Sequence, residues 1–341
     1  MSKRPTIHDV AERAGVSKSL VALVFKSDQG VSPARREKVL RAAAELGYTP
    51  NAWASALRSN SSGFVGIIVA DFHNPIFTEI ADLARQRLAD EGIFSFVATV
   101  SQVETEGGRE LDSAPIQHLL DLKPASLFIV GGLPNLKPFQ TLAKDINIVV
   151  ALAGARGLSN AVAVRTDDET AMRLVCEHLV QTGHSQVTYL GPQGAQVADD
   201  RRAAFLAAAE GCQLTANMVS TGAEVSERSG ADAAMVALRE APAASALVCY
   251  NDNIAFGAGD AAAKQLAQDG KPIAVTGFDD TYIADFERIS LTSINQDKTA
   301  IVDEVCELLT NDDLFANRRG SEVLISPTLV VRNSTLAASR S

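Results

Sequence analysis

The feature that most constrains the fold is an alternation of short β-branched runs with helical patterns from residue 63 onward. Residues 65–69 read VGIIV, an apolar run typical of a strand buried on both faces, and residues 76–88 follow with helical spacing. Further strands are predicted at 94–99, 127–130, 148–151, 161–164, 187–190, 247–249, 273–276 and 291–294. This alternation predicts parallel sheets flanked by helices, and the number of strands favours two lobes over one sheet.

Composition excludes several other classes. The 341 residues, 46% of them hydrophobic, are enough to bury large cores without disulfides. The four cysteines are scattered singly, which indicates reduced thiols and neither a disulfide framework nor a zinc knuckle. The sequence contains no apolar run of membrane-spanning length and no apolar signal segment after MSKRPT. We therefore expect a cytoplasmic protein without cofactor, metal or membrane partner.

Charge is distributed unevenly along the chain. The formal net charge is −10, yet residues 1–60 hold 10 Lys and Arg against 5 Asp and Glu, which makes that segment +5. The remainder is therefore −15. A basic N-terminal module on an acidic body indicates that this end contacts a polyanion, although a solvated helical surface would look the same by charge alone.

The pattern within residues 6–47 predicts three short helices. Thr6 can cap the first, and Gly15 ends it because glycine accepts the left-handed backbone of a tight turn. Ser17 can cap the second, whose apolar face includes Val21 and Val24. A third opens at 32–33, a capping Ser followed by Pro, and Gly47 ends it. This order is a helix-turn-helix, which favours DNA binding over a featureless helical hairpin.

These runs resemble the LacI/GalR family of bacterial transcription regulators. TIHDVAERAGVS at 6–17, REKV at 36–39 and ELGYTPN at 45–51 resemble its DNA-binding module. The resemblance continues through DFHNPIF at 71–77, TGH at 182–184, GFDD at 277–280, LTSINQ at 291–296 and LVVRNST at 329–335, so it covers essentially the whole chain. It implies an α/β two-lobed periplasmic-binding-protein-like core, with an N-terminal all-α helix-turn-helix DNA-binding domain.

The same resemblance implies a division into four parts. Residues 1–50 would form the DNA-binding domain, and 51–62 the hinge helix and linker. One core lobe would comprise 63–163 plus 292–326, and the other 164–291 plus 327–341. Because the chain would cross between the lobes three times, each lobe is discontinuous in sequence.

The residues expected at DNA follow from the resemblance. Lys18, Ser19, Ala22 and Leu23 on the second helix would face base edges in the major groove, whereas Thr6, Ser17, Ser32 and Arg36 would contact phosphates. The recognition helix reads LVAL at 20–23 in place of the more common TVSR, which leaves the operator sequence open. Residues 51–58 resemble the hinge helix, with Asn51, Ala54 and Leu57 at the minor groove and Leu57 as an apolar wedge. The alternative for Leu57 is packing in a helical linker.

Seven residues at predicted strand ends or helix starts match the family's effector site. Carboxylates, amides, a guanidinium and an aromatic ring suit a sugar, polyol or nucleoside, and they demand no metal. The residues are Asp71, Asn74, Phe77, Arg201, Asn251, Asp279 and Gln296. Structural alternatives remain: a turn at Asp279 and Asp280, a helix cap at Asn74, and a solvated Arg201–Arg202 pair. Residues 149–154 read VVALAG without the Asp-Arg pair of many sugar-responsive relatives, so the effector class stays open.

The resulting hypothesis is a dimeric repressor that a small-molecule effector releases from a pseudo-palindromic operator. One alternative is a corepressor-dependent regulator, whose DNA affinity a ligand or partner protein raises. Another is a stand-alone small-molecule binding protein, which the first sixty residues disfavour. No GxSxG or GxxxxGK[ST] motif supports an enzyme.

Overall fold

The computed structural model describes residues 5–26, 31–48, 63–100, 102–105, 108–111, 113–133, 136–141 and 144–336. The chain divides into two compact units, Met1–Gly63 and Phe64–Ser341. The predicted hinge residues Asn51, Ala54 and Leu57 lie outside the described residues.

The first unit contains three helices: α1 (Ile7–Ala14), α2 (Lys18–Lys26) and α3 (Pro33–Leu46). Thr6 caps α1 in a capping box with Asp9, and Gly15 ends it in the left-handed region at φ 58°. The buried faces of the three helices meet in one small apolar core, formed by Val10, Ala11, Ala14, Val21, Val24, Val39, Ala42 and Ala43. The predicted helix-turn-helix is therefore confirmed.

The two predicted serine caps behave differently. The Ser17 hydroxyl accepts a hydrogen bond from the Leu20 backbone N–H (3.2 Å) at the start of α2. Ser32 takes the N-cap position of α3, but its hydroxyl makes no capping hydrogen bond. The expected Ser32 side-chain cap is therefore wrong, and the proline ring of Pro33 supplies the helical φ at this end.

Two six-stranded sheets form the second unit. The first has the order β13-β7-β6-β5-β1-β2 and is parallel throughout. Its strands are β1 (Val65–Val69), β2 (Ser95–Thr99), β5 (Ser126–Val130), β6 (Asn147–Ala151), β7 (Val162–Thr166) and β13 (Glu322–Ile325). A separate antiparallel pair, β3 (Gln102–Thr105) and β4 (Gly108–Leu111), follows β2.

The second sheet has the order β14-β12-β11-β10-β8-β9, in which only β14 runs antiparallel to its neighbour. Its strands are β8 (Gln186–Gly191), β9 (Thr215–Ser220), β10 (Ala246–Cys249), β11 (Ala274–Asp279), β12 (Thr292–Asn295) and β14 (Thr328–Val330). The predicted class of parallel sheets flanked by helices is confirmed.

Helices cover both sheets on both faces. Helices α4 (Pro75–Asp90), α5 (Ser113–Asp121), α10 (Lys298–Thr310) and α11 (Asp312–Arg318) pack on the first sheet, and we call this body the first lobe. Helices α6 (Asp168–Gln181), α7 (Gln196–Gly211), α8 (Glu227–Glu240) and α9 (Asp252–Asp269) pack on the second sheet as the second lobe. Helices α8 and α9 approach closely, since a Cβ on Gly257 would lie 1.7 Å from the Glu227 carbonyl oxygen.

The positions of the crossings differ slightly from expectation. Strand β7 belongs entirely to the first sheet, and β12 belongs entirely to the second. The chain therefore leaves the first sheet after Thr166 and returns towards it after Asn295, a few residues beyond the expected boundaries at 163/164 and 291/292. Within the described parts of the chain, we find no helix that is both long and apolar enough to cross a membrane.

Candidate effector site and candidate DNA-binding surface

The predicted effector residues follow the carboxyl ends of strands in both lobes. Asp71 and Asn74 lie between β1 and α4, and Asn251 follows β10. Asp279 ends β11, and Gln296 follows β12. Open parallel sheets bind ligands beyond these carboxyl ends, so a site between the lobes would be lined by both groups.

Arg201 makes two hydrogen bonds and lies against two aromatic rings. Its side chain is buried in α7, where Nε donates to Asp168 Oδ1 (2.8 Å) and Nη1 donates to the Tyr250 carbonyl (2.7 Å). The guanidinium carbon lies 3.4 Å from the centroid of the Phe278 ring and 4.7 Å from that of Tyr250. The solvated Arg201–Arg202 pair considered from the sequence is therefore wrong.

Electrostatics keep this guanidinium charged. Burial would lower the pKa of Arg201, but the Asp168 carboxylate, together with Tyr250, Tyr189 and Asp279, outweighs that effect and holds the pKa above its ordinary value. A guanidinium fixed by a carboxylate, a carbonyl and two ring faces is ready to meet ligand oxygens without reorganising.

A second polar chain joins the two lobes. Gln296 Nε2 donates to Asp279 Oδ1 (2.6 Å), and Gln296 Oε1 accepts from the Thr166 hydroxyl (2.5 Å) at the end of β7. All three side chains are buried. Burial and the neighbouring Asp252 carboxyl raise the pKa of Asp279 well above its ordinary value.

The backbone is strained at the same edge of the second sheet. Asp279 has φ 130° and Asp280 has φ 48°, conformations that residues with a side chain rarely adopt. Asp279 is the last residue of β11, and the first turn residue after the strand is Tyr282. The turn considered for Asp279 and Asp280 is therefore wrong, and Asp279 instead accepts the hydrogen bond from Gln296.

Two buried amides carry an atom that is unpaired within the described residues. Asn74 takes the N-cap position of α4, but its side chain makes no capping bond, and its Oδ1 has no partner. Asn251 Oδ1 caps α9 by accepting from the Ile254 N–H (3.1 Å), whereas its Nδ2 is unpaired. A buried polar atom without a partner costs stability, so each is suited to a ligand oxygen or hydroxyl.

The other two predicted residues are engaged differently. Phe77 is half-buried and packs against the core of the first lobe. The Asp71 carboxylate accepts from the His73 N–H (2.8 Å), and its side chain remains about half exposed. Phe77 and Asp71 therefore both remain partly accessible.

Sequence reasoning missed Asp168, Tyr250 and Phe278 around Arg201. Tyr250 and Phe278 each precede a predicted site residue, which is a usable signal, but Asp168 contacts Arg201 across 33 positions of sequence. It also missed Asp252, whose buried carboxylate accepts from the Thr281 N–H (2.8 Å) and hydroxyl and from the Ser293 hydroxyl (2.6 Å). Burial raises the pKa of Asp252 to about 6. These contacts connect Asp252, at the start of α9, to Thr281 and Ser293 of the neighbouring segments.

Helix α2 presents the predicted DNA-facing residues to solvent. Lys18, Ser19, Ala22 and Leu23 are exposed, whereas Val21 and Val24 are buried beneath them. Leu23 is 38% exposed. Thr6, Ser17 and Ser32 are also exposed, and Arg36 is half-buried.

The described residues contain no group of three or more His, Cys, Asp or Glu that could hold a metal.

Comparison with known proteins supports the assignment of the N-terminal unit and that of the core. The family described as "Bacterial regulatory proteins, lacI family" matches residues 6–51, and the "Periplasmic binding protein-like domain" matches residues 176–335. The lactose operon repressor of Escherichia coli (strain K12) is 31% identical over 344 residues, which cover 98% of this chain and 92% of that protein. The maltose regulon regulatory protein MalI of the same strain is 32% identical over 263 residues, 75% of each chain.

Solved structures agree in fold. The lac repressor bound to ONPG in the repressed state superimposes with a TM-score of 0.81 at 27% identity, covering 98% of this chain and all of that one. The lac repressor dimer bound to operator and the anti-inducer ONPF gives a TM-score of 0.80 over the same share.

A helix-turn-helix unit followed in the chain by a periplasmic-binding-protein-like core of two sheets defines a DNA-binding transcription regulator with a ligand-binding core. The chain belongs to the lacI family of bacterial regulatory proteins. Its relatives are transcriptional regulators and not enzymes, which agrees with the prediction made from the sequence.

Proposed function

We propose that this protein is a transcriptional repressor that a small-molecule effector releases from its operator. The observation that carries the proposal is a set of buried polar side chains near the carboxyl ends of the strands, where Asp168 holds Arg201 and the amides of Asn74 and Asn251 each keep an unpaired atom. Such groups recognise hydroxyls and ring oxygens, so the effector is a sugar, polyol or nucleoside. The seven residues predicted from the sequence would form this site.

DNA recognition is assigned to helix α2 and the hinge. Lys18, Ser19, Ala22 and Leu23 would contact base edges, with Thr6, Ser17, Ser32 and Arg36 on phosphates. Asn51, Ala54 and Leu57, which lie outside the described residues, would enter the minor groove. The protein would act in the cytoplasm as a homodimer, because two symmetric heads match a pseudo-palindromic operator. The dimeric, operator-bound lac repressor supports this assignment.

The chemical class of the effector is inferred from the names of two relatives and from the residues of this chain. MalI and the lactose operon repressor are named for maltose and lactose. In this chain, residues 152–154 are Leu-Ala-Gly, so none of the three residues directly after β6 carries a charge that could contact the effector. We therefore include polyols and nucleosides beside disaccharides.

The test is fluorescence anisotropy of the full-length protein on a palindromic DNA obtained by in vitro selection. The titration is repeated with maltose, lactose, sugar alcohols, nucleosides and purines. Weaker binding in the presence of one of these compounds identifies an inducible repressor. Stronger binding would replace the proposal with the corepressor alternative, and failure to bind any selected DNA at low salt would overturn the operator assignment.

A further inference from the structure

Arg165, in strand β7 of the first lobe, holds three carboxylates at once. Its Nη1 lies 3.2 Å from Asp168 Oδ2, its Nη2 lies 3.2 Å from Asp200 Oδ2, and its Nε donates to Glu322 Oε2 at 3.2 Å. The Arg165 side chain is only 15% exposed. A guanidinium has several donors in a rigid planar fork, so it can hold three acceptors in fixed directions, whereas the donors of a lysine ammonium rotate on a flexible stem.

The three carboxylates belong to different parts of the second unit. Glu322 begins β13, the edge strand beside β7 in the first lobe. Asp168 begins α6, directly after the chain has crossed to the second lobe, and Asp200 lies in α7 of the second lobe. Arg165 therefore connects the two lobes by charge.

The same cluster reaches the candidate effector site. Asp168 uses Oδ2 for Arg165 and Oδ1 for Arg201, so its carboxylate stands between the two guanidinium groups. Asp200 and Arg201 are neighbours in α7. We call Arg165, Asp168, Asp200, Arg201 and Glu322 the interlobe charge cluster.

Uncharged contacts place the start of α7 against the first lobe as well. Val197 packs on the apolar cluster of the first lobe that contains Ala153 and Leu158. Gln196 covers Gly154 so closely that a Cβ there would lie 2.4 Å from Gln196 Nε2. The first turns of α7 thus touch the first lobe on one side and carry Arg201 on the other.

We propose that Arg165 is a positioning residue of the effector site, which orients Arg201 through Asp168 and ties that orientation to the approach of the two lobes through Asp200. The proposal rests on the proposed function for the role of Arg201 in effector binding. The effect of Arg165 on the orientation of Arg201 and on the separation of the lobes, however, can be tested without any effector.

Charge explains why Arg165 is needed. The cluster contains two guanidinium groups and three carboxylates, so its formal charge is −1. Without Arg165, the carboxylates of Asp168, Asp200 and Glu322 would keep only Arg201 and Arg156, whose largely exposed side chain lies 4.0 Å from Asp200 Oδ1, so the repulsion among the three carboxylates would rise. Asp200 and Glu322 would separate, and Asp168 would lose half of its support.

The experiment measures lobe separation and Arg201 order in the full-length protein. Nitroxide labels are placed at Gln117→Cys in α5 and Arg239→Cys in α8, both exposed, in a Cys212→Ser background because the other three cysteines are buried. Labelled protein is diluted with an excess of unlabelled protein, so that double electron–electron resonance reports the distance between the two labels within one protomer. The Nε–H resonance of Arg201 is followed with 15N-arginine and assigned with Arg201→Lys.

Arg165→Met is expected to broaden the distance distribution, shift it to longer distances and abolish the protected Arg201 resonance. Arg165→Lys should fall between Arg165→Met and the unsubstituted protein, because an ammonium keeps the charge but not the fork. Asp200→Asn should broaden the distances and retain the Arg201 resonance, since Asp168 keeps Arg165. The matched control is Arg173→Met, which removes an exposed Arg173–Glu177 pair on α6 and should change neither readout.

Three results would overturn the proposal: an unchanged distance distribution in Arg165→Met, a retained Arg201 resonance in that variant, or an equal change in Arg173→Met. If Arg165→Met does not fold, an unchanged distance distribution in Asp200→Asn overturns the link between lobes. Neither readout uses an effector, so a failure of the proposed function in the anisotropy titration remains distinct from a failure here.

Discussion

The ammonium of Lys298 lies 2.6 Å from the Glu79 carboxylate, and this pair fastens a loop of the second lobe to the first lobe. Lys298 also donates to the Asp280 carbonyl (2.8 Å), and Glu79 accepts from the Tyr282 N–H (3.3 Å). The side chains are 17% and 22% exposed, so solvent screens them little. The pair therefore holds the loop that follows β11.

Replacing Lys298 with Met should lower the free energy of unfolding by about 1–3 kcal/mol, because the half-buried Glu79 carboxylate loses its cation. Urea unfolding followed by circular dichroism measures the loss. The control is Lys264→Met, an exposed lysine on α9 that should cost much less. Equal losses in the two variants would mean that the Glu79 contact contributes nothing specific.

Asp252 should make a measurable contribution to the pH dependence of stability. Its pKa is about 6 in the folded protein, above its ordinary value of 3.8, because burial disfavours the carboxylate. Between these pH values the folded state binds a proton that the unfolded state has released, so this contribution falls as pH rises from about 4 to about 6. Asp252→Asn removes the titrating group and can still pair with Thr281 and Ser293.

The stability of Asp252→Asn relative to the unsubstituted protein should therefore increase from pH 4 to pH 6 and then level off. Urea midpoints at pH 4, 5, 6 and 7 measure it. Asp260→Asn, at an exposed position of the same helix, gives the baseline. A relative stability independent of pH in Asp252→Asn would show that Asp252 titrates as it does in the unfolded chain.

Substituting Asn251 by Ser separates its two tasks. A serine hydroxyl can still cap α9, so we expect the free energy of unfolding to change by less than about 1 kcal/mol. The unpaired Nδ2 donor is lost, and the effector that shifts operator binding should bind at least about tenfold more weakly. Calorimetric titration with that compound and urea unfolding give the two values.

Asn311 provides the matched control, because its side chain caps α11 in the same way, away from the cleft. Asn311→Ser should leave effector affinity unchanged. An Asn251→Ser variant that loses stability but keeps its affinity would assign this residue to helix capping alone.

Lys18→Ala should weaken operator binding by about 1–3 kcal/mol and relax the preference for one base if Lys18 contacts a base edge. If it contacts a phosphate instead, affinity should fall equally for all sequences and the salt slope should decrease by about 1. Anisotropy at several salt concentrations, on the selected operator and on single-base variants, distinguishes the two. Lys264→Ala is the control, and an unaltered operator affinity in Lys18→Ala would remove this residue from the interface.

Leu57→Gly tests the predicted hinge, which lies outside the described residues. Loss of an apolar wedge should sharply reduce operator affinity, because the bent DNA is no longer held open at the minor groove. Effector affinity, measured by calorimetry, should stay the same. A parallel fall in both affinities would contradict the division of labour between hinge and core.

Local signals in the sequence predicted most of the architecture. The cap at Thr6 and the stop at Gly15 depend on residues within one helical turn, and the strand that begins near Val65 is a continuous apolar run. Strand β9 was missed because TANMVS has few β-branched residues and lies exposed at a sheet edge. Its position depends on pairing with β8, which no local pattern encodes.

The sequence predicted which residues belong to the candidate site, but it did not predict the residues that they contact. Resemblance supplied Arg201, but the contacts that fix it come from Asp168 and Tyr250, distant in sequence and brought near only by the second sheet. Ser32 and Asn74 show the converse. Each occupies a helix N-cap with a suitable side chain, and neither hydroxyl nor amide makes the capping bond, because residue type permits such a bond without requiring it.

The contact between α8 and α9 determines where Asn251, at the start of α9, lies in the candidate effector site. Gly257 lies on the second turn of α9, the helix that Asn251 caps, and its Cα packs on the backbone of α8 with no room for a methyl group. Any larger residue would lever α9 outward, and the amide at its tip would move with it. The reach of the second lobe towards a ligand is thus adjusted at a point that the ligand never touches, so an altered effector preference could arise from a substitution on the far side of the helix.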